Sequence, residues 1–229
     1  MKTFENRELV LPGDVLYIGR IRAGENTYRF GDKVLATRIG LVEYGRGTVS
    51  VIALEAGYQP LIGDLVVGDV VDMELGYWYV DIDAPTLAQL SVPDATGSPY
   101  SPEIVMPEIL DVGDTIAAKV VDLDRKRTPI LSILGKGLGR IEDGLVIRMT
   151  PSKIPRLIGK KGSMVTMILK ETGCDIIIGQ NGRIVVKGSS REQEDMVVKV
   201  IRRIEMEAHT TGLTNRIQEY LRCWKEGRL

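Results

Sequence analysis

Two glycines bracket two lysines in Ile158-Gly159-Lys160-Lys161-Gly162-Ser163, a spacing suited to contact between a main chain and phosphate. Glycine has no Cβ to hold a sugar-phosphate chain off, so backbone N–H groups can approach it directly. Lys160 and Lys161 add positive charge. A helix opening at Ser163 would contribute unpaired N–H groups and the positive end of its dipole, an attraction indifferent to base identity. The ligand this describes is RNA or single-stranded DNA rather than a metabolite. By itself the tetrapeptide also fits an ordinary turn between two helices, so the flanking elements must decide.

Upstream, Leu145, Ile147 and Met149 alternate with Val146, Arg148 and Thr150 as in a strand, and Pro151-Ser152 opens a short helix carrying Ile154, Leu157 and Ile158. Downstream, Val165, Ile168 and Leu169 recur at helical spacing up to Thr172-Gly173, a C-terminal stop. The run Cys174-Asp175-Ile176-Ile177-Ile178 then joins Arg183-Ile184-Val185-Val186-Lys187 through Gly179-Gln180-Asn181-Gly182, and Asn-Gly is a strong hairpin signal. From Arg191 to His209, Met196, Val197, Val200, Ile201 and Ile204 share one side of a serine-capped amphipathic helix.

This order over residues 144–209 resembles the KH domain of the type whose extra helix is C-terminal, on the strength of Ile158 to Gly162, Val165, Ile168 and the whole strand-helix-helix-strand-strand-helix sequence. The resemblance implies a clamp on about four nucleotides of single strand across the loop. Lys153, Arg156, Gly159, Lys160, Lys161 and Gly162 are the expected contacts.

At 229 residues the chain holds two or three small domains. Its 30 Lys+Arg against 31 Asp+Glu look wrong for a nucleic-acid binder. The distribution explains the balance: residues 151–190 carry 7 basic and 2 acidic groups, residues 58–137 carry 5 and 13. The footprint for a polyanion is local. No run of 18 apolar residues occurs and Met1-Lys2-Thr3-Phe4-Glu5-Asn6-Arg7 lacks an apolar signal core, so a soluble, cytoplasmic protein is expected. Cys174 and Cys223 have no metal-ligand spacing and read as structural. With His209 as the only histidine and no P-loop or G-x-S-x-G, no nucleophile and base are in view. Neither enzyme activity, cofactor nor metal is expected.

Before this unit the chain reads as β structure. Leu9-Val10-Leu11, Val15 to Gly19, Lys33 to Thr37 and Thr48 to Leu54 are short apolar runs between turn signals, predicting a small β domain over 1–57. Gly63 to Val71, Tyr77 to Ile82, Gly113 to Val121 and Pro129 to Ser132 form a second series over 58–137, suggesting a barrel. Gly63-Asp64, Val66, Gly68 and Val70, then Tyr79-Val80-Asp81-Ile82, Gly113-Asp114 and Leu131-Ser132 resemble the S1 RNA-binding domain of the OB-fold class. Strand alternation buries Trp78, Val80 and Ile82 and turns out Tyr77, Tyr79, Asp81 and Asp83. Tyr79 occupies a position where that family places a base-stacking aromatic, a contact worth about 1–3 kcal/mol per base. The histidine common on such faces is missing. Asp81 and Asp83 are read as solvated or paired with a neighbouring protein, with a hard cation as the other reading. Lys119, Arg125, Lys126 and Arg127 are RNA-contact candidates or a solvated hairpin tip.

Taken together, Leu11-Pro12-Gly13-Asp14, Val80 to Pro85, the link Gly135 to Arg140 and the KH unit over 138–229 resemble the S1 and KH cap subunits of the archaeal RNA exosome, across nearly the whole chain. Gly179, Asn181 and Gly182 match that family's GxNG element, by which its KH domain is packed, and the element also reads as a hairpin turn. The other exosome cap type carries a zinc ribbon, which needs CxxC pairs absent here. The expected fold is mixed and β-rich: a small N-terminal β domain, an S1-like OB-fold barrel, then an α+β type I KH domain with C-terminal helices. The segment from Leu213 to Leu229, with Ile217, Tyr220, Leu221 and Trp224 at helical spacing, reads as a packed helix or as a stripe for a partner. The resemblance implies a non-catalytic subunit that captures single-stranded RNA. Three copies would sit on a six-membered ring of RNase PH-like subunits and feed 3′ ends to phosphorolysis within it. A transcription or translation factor using S1 and KH modules, or a mainly structural ring-stabilising protein, are the alternatives.

Overall fold

One turn recurs at three places: Leu11-Pro12-Gly13-Asp14, Leu61-Ile62-Gly63-Asp64 and Asp111-Val112-Gly113-Asp114. The glycines have φ of 95°, 99° and 99°, a region costly for any residue with a Cβ. Each aspartate carboxylate accepts the N–H of the turn's first residue, at 2.8 Å for Leu11, 3.1 Å for Leu61 and 2.8 Å for Asp111. Each glycine N–H donates to a carbonyl of a neighbouring strand: Ala36 at 2.8 Å, Val120 at 2.7 Å and Val70 at 2.8 Å. A Gly-Asp pair thus starts and anchors a strand each time.

These turns are seen in a computed structural model that describes residues 1–54, 57–208, 210 and 212–226. Its contacts divide the chain into two units, Met1–Ala56 and Gly57–Leu229. The first unit has seven strands: β1 (Leu9–Val10), β2 (Val15–Ile18), β3 (Arg22–Ala23), β4 (Thr27–Phe30), β5 (Lys33–Ala36), β6 (Gly40–Tyr44) and β7 (Thr48–Ala53). They form a sheet ordered β1-β6-β7-β3 and a smaller one ordered β2-β5-β4. Val10, Leu16, Val34, Val42, Val49 and Val51 make its core. The apolar pattern picks out β1, β2, β5 and β7. It misses β3, which is two residues long, β4, where Tyr28, Arg29 and Phe30 are all exposed, and β6, where Gly40 and Val42 are the buried positions.

In the second unit β8 (Leu65–Glu74), β9 (Tyr77–Asp81), β10 (Ala88–Ser91), β11 (Thr115–Leu123) and β12 (Pro129–Ser132) close a five-strand barrel. The ring is completed by β12, parallel to β10 on one side and antiparallel to β11 on the other. β10 does not stand out in the sequence because only Ala88 and Leu90 of its four residues are apolar and inward. Trp78 is fully buried, as alternation predicts, and its indole N–H donates to the Leu110 carbonyl at 2.9 Å. At Gly68 a Cβ would lie 2.6 Å from Val80 Cγ1 and 2.8 Å from the Asp81 carbonyl, so only glycine permits this approach of β8 to β9. Two short helices, α1 (Val92–Thr96) and α2 (Met106–Ile109), lie in the connection from β10 to β11. An edge strand, β13 (Gly139–Arg140), pairs with β11, and Arg140 meets Asp114 at 2.9 Å.

The chain then forms β14 (Leu145–Arg148), a 3₁₀ turn over Pro151–Lys153, α3 (Ile154–Ile158), α4 (Ser163–Thr172), β15 (Asp175–Ile178), β16 (Arg183–Lys187), α5 (Arg191–Glu207) and α6 (Leu213–Lys225). The antiparallel sheet is ordered β14-β16-β15, and the helices share its core. Met196, Val197, Val200, Ile201 and Ile204 of α5 are all buried, and Ser190 caps that helix. The inward face of α4 is Met164, Ile168 and Thr172, while Val165 and Leu169 are only half-buried. α6 is a packed helix, with Leu213, Ile217 and Leu221 buried and Tyr220 and Trp224 against the same core. His209 and residues 227–229, which the sequence pattern assigns to helices, lie outside the described residues.

The barrel core yields a stability test. Trp78→Ala is expected to cost about 3–5 kcal/mol through the cavity it leaves, and more than Trp78→Phe. Both would be read from urea midpoints followed by circular dichroism.

Candidate nucleic-acid interface

α3 ends at Ile158, and the backbone turns through Gly159 (φ 75°, ψ 175°), Lys161 (φ 54°, ψ 33°) and Gly162 (φ 79°, ψ 9°) into α4. The Gly159 conformation is essentially restricted to glycine. A Cβ there would also lie 2.7 Å from the Met164 backbone nitrogen. The first glycine is therefore needed by the protein's own chain, whatever approaches from outside. No side chain caps the first turn of α4, as the anion-contact reading requires. Lys160, Lys161 and Arg156 are exposed and Lys153 is half-buried, all on the contiguous stretch from the 3₁₀ turn through the loop. Among the described residues none of the four has a carboxylate within ion-pair distance.

The β15–β16 hairpin of the same α/β unit presses its tip onto the barrel. Gly179 N–H donates to the Arg183 carbonyl at 2.9 Å and Gly182 N–H to that of Gly179 at 3.0 Å, so the segment is a hairpin turn. It is a packing element as well. Asn181, 2% exposed, donates through Nδ2 to the carbonyls of Val67 (2.7 Å) and Ile82 (3.0 Å) and accepts the Val67 N–H at 3.3 Å. Gln180 N–H donates to the Leu65 carbonyl at 2.8 Å. A Cβ at Gly182 would lie 2.2 Å from the Met149 carbonyl oxygen, and one at Gly179 would lie 3.0 Å from Val67 N.

The next residue, Arg183, is 1% exposed. Its Nε and Nη2 donate to the two oxygens of Asp83 at 2.7 and 2.9 Å, Nη1 to Asp69 at 2.7 Å, and Nη2 also to Asp81 at 2.8 Å. Burial opposes the charge on Arg183, but Asp83, Asp69 and Asp81 outweigh it and its pKa is raised. Hydrogen bonds from Arg183 hold the Asp83 carboxyl below its ordinary value against partial burial, with a lesser contribution from Arg148 at 3.8 Å. Asp81 and Asp83 are therefore neither simply solvated nor left for another protein: an arginine of the same chain holds both. Sequence reasoning missed Arg183 and Asp69. The available signal was an arginine opening an otherwise apolar strand directly after an Asn-Gly turn.

On the barrel, Tyr79 lies half-buried on β9 and its hydroxyl donates to Glu74 at 2.9 Å, which raises its pKa. Lys119 is exposed on β11. Arg125, Lys126 and Arg127 form the β11–β12 hairpin tip, where the Asp124 carboxylate accepts the N–H groups of Thr128 and Lys126, each at 2.7 Å. Those bonds, with Thr128 foremost, lower the Asp124 pKa. Lys126 and Arg127 line a cleft of about 160 Å³ with Gln59, Pro60, Pro85 and Thr86.

Models of three known domains match this chain: the N-terminal domain of the exosome RNA-binding protein RRP4 over residues 7–55, the RRP4 S1 domain over 57–122 and a KH domain over 144–192. The exosome complex component Rrp4 of Thermococcus kodakarensis is 42% identical, the match covering 94% of this chain and 85% of that protein. The Rrp4 of Sulfurisphaera tokodaii is 40% identical over 96% of this chain and 90% of its own. The chain belongs to the Rrp4 family.

A crystal structure assigned to an exosome complex RNA-binding protein is similar to this Rrp4-family chain, with a TM-score of 0.70, 39% identity, and coverage of 76% of this chain and all of that one. The overall resemblance read from the sequence thus holds: an S1 barrel of the OB class and a KH unit in one chain of this family. Within this Rrp4-family chain the site candidates fall into two groups. Lys153, Arg156, Lys160 and Lys161 surround the KH loop; Tyr79, Lys119, Arg125, Lys126 and Arg127 belong to the barrel.

The joint between them predicts two outcomes. Arg183→Met leaves three carboxylates without their cation and is expected to destabilise the second unit by about 3–5 kcal/mol, read from urea midpoints. Folding lowers the Asp83 pKa, so the contribution of its ionised form is complete above the ordinary carboxylate value of 3.8 and is lost as pH falls through the lower folded value. The stability gap between the natural chain and Asp83→Asn should stay constant above about pH 5 and narrow at lower pH.

Proposed function

We propose that this chain is a non-catalytic RNA-binding cap subunit of an exosome, which captures single-stranded RNA and passes its 3′ end to a phosphorolytic ring for degradation or processing. The observation that carries this is the KH loop: two exposed lysines without carboxylate partners, beside an uncapped helix start and a glycine-only backbone. The relatives named exosome complex component Rrp4 support the assembly. Its ring partners would be RNase PH-like subunits, with two further copies of this chain completing a trimeric cap in the cytoplasm. The division of labour would be a docking β domain over 1–57, an S1 barrel at the entry pore over 58–137 and an outer KH unit over 138–229.

Charge supports the assignment. Of the seven basic residues between 151 and 190, Arg183 is committed to carboxylates and Lys187 meets Asp143 at 3.4 Å. Lys153, Arg156, Lys160, Lys161 and Lys170 keep their charge for an external anion. In the acidic segment, Asp69, Asp81 and Asp83 are turned inward onto Arg183. Tyr79, Lys119, Arg125, Lys126 and Arg127 are the proposed barrel contacts; Gly159 and Gly162 shape the loop, and Gly179, Asn181 and Gly182 hold the hairpin tip.

Replacing Lys160 and Lys161 by Asp should weaken binding of a single-stranded oligoribonucleotide and flatten the dependence of log K on log salt by at least ~1.4, about 0.7 for each phosphate no longer neutralised. Fluorescence anisotropy across a salt series measures both. An unchanged affinity and slope would instead favour a purely structural subunit.

A further inference from the structure

The first unit carries a positive site that none of the RNA candidates above includes. Arg20, Arg22 and Arg29 line one shallow depression of about 280 Å³ together with Ile21 and Gly47, and among the described residues no acidic side chain contributes to it. All three arginines are exposed. Arg22 is fixed by β3, where its backbone N–H donates to the Gly47 carbonyl at 3.0 Å, and Arg29 by β4, antiparallel to β5. The Arg29 guanidinium leans on the Gly19 carbonyl at 3.4 Å, which orients it without neutralising it.

Six of the other arginines make a contrast. Arg140, Arg183, Arg202, Arg203, Arg216 and Arg222 each meet a carboxylate at 2.7–3.1 Å. Where the fold uses arginine for its own cohesion, it supplies a counter-charge. Arg20, Arg22 and Arg29 have no ion-pair partner among the described residues, although the unit's basic and acidic groups are nearly balanced, 8 against 7 over residues 1–57. Three like charges converging on one depression repel one another, and an anion relieves that repulsion. Guanidinium is suited to phosphate because its planar N–H fork bonds two oxygens at once.

We infer that this depression is a second single-stranded RNA contact, binding the phosphodiester backbone through Arg20, Arg22 and Arg29. It deepens the RNA-binding function proposed above and depends on it. Arg20 lies in a turn closed by the Ile21 N–H to the Gly19 carbonyl at 3.2 Å, and Arg22 opens β3 two residues on, so the two guanidiniums reach the depression from a turn and from a strand. Arg20 from that turn, Arg22 from β3 and Arg29 from β4 then each address a phosphate of the strand. The depression offers no base-sized apolar slot, so the contact is indifferent to sequence.

The test uses the full chain, a single-stranded oligoribonucleotide and anisotropy across a salt series. R20Q/R22Q/R29Q is expected to weaken binding roughly tenfold or more at low salt and to reduce the salt slope by about 2, some 0.7 for each phosphate that the variant leaves unneutralised. R20K/R22K/R29K keeps the charge and should keep most of the slope. Each single Gln replacement should take about a third of the change, which serves if the triple variant folds poorly. Unchanged affinity and slope in the Gln variants overturns the inference. So does loss of association with ring subunits at unchanged RNA affinity, the mark of an arginine patch made for an acidic protein. The Lys160, Lys161→Asp variant is measured alongside. If it weakens RNA binding and the arginine variants do not, this site alone fails; if neither does, RNA binding itself fails.

Discussion

A guanidinium removed from water among three carboxylates is the constraint on which the joint between the barrel and the KH unit rests. A buried lone charge would cost several kcal/mol. Here the penalty is confined to one partner: Arg183 is 1% exposed, while the side chains of Asp69, Asp81 and Asp83 keep 43%, 38% and 36% of their surface. Asp83 gives both oxygens to the cation, the second oxygens of Asp69 and Asp81 accept the Thr115 hydroxyl at 2.7 Å and the Asp83 N–H at 3.0 Å, and Arg148 offsets part of the remaining negative charge. The three acids come from two neighbouring strands and the residue pair following β9, so one side chain of β16 ties several points of the barrel wall at once. Asn181 complements it differently. Its amide replaces a missing strand partner for Val67 and Ile82, fixing register with neutral bonds while the ion cluster supplies the stronger attraction.

That joint also reconciles the net charge of −1 with the RNA binding proposed for the chain. Carboxylates committed to an internal arginine weigh less in the outward field than their number suggests, whereas lysines without partners weigh fully. Balanced composition therefore hides an uneven surface. Two sites held in fixed relation also gain by linkage, because binding at one raises the effective concentration of the strand at the other. The KH loop and the barrel meet that condition through the hairpin.

Periodicity exposed what is governed by burial. Trp78, Val80 and Ile82 turn inward as alternation requires, and all five apolar residues assigned to the inner face of α5 are buried. It failed where burial is not periodic. β16 is buried at four successive positions, Arg183 to Val186, so nothing in its pattern distinguishes an arginine held by three acids from one at a strand's solvent end. The acids lie 100 to 114 residues away in sequence, a separation invisible to any local window. β10 is likewise a product of barrel closure, and β13 of its pairing with β11. Their few residues gain strand geometry from partners rather than from propensity. The Val165 register failed for a related reason: the loop's glycine conformation rotates the start of α4 so that Met164 faces the core.

That rotation bears on how the loop meets a ligand. The spacing of glycines alone attributes Gly159 to the needs of an approaching phosphate, yet a Cβ there would collide with the nitrogen of Met164 before any ligand arrived. The conformation is therefore set by the chain's own packing, and the orphan N–H groups at the start of α4 are aimed in advance. A surface fixed in this way by packing would lose little backbone entropy on being occupied. The two lysine side chains are exposed and have no ion-pair partner among the described residues, and cations so placed would follow a phosphate without selecting a base. In the proposed role, a preset main chain with unpaired charge would give affinity for the backbone of a strand and tolerance of its sequence, a combination suited to taking whatever RNA end is presented.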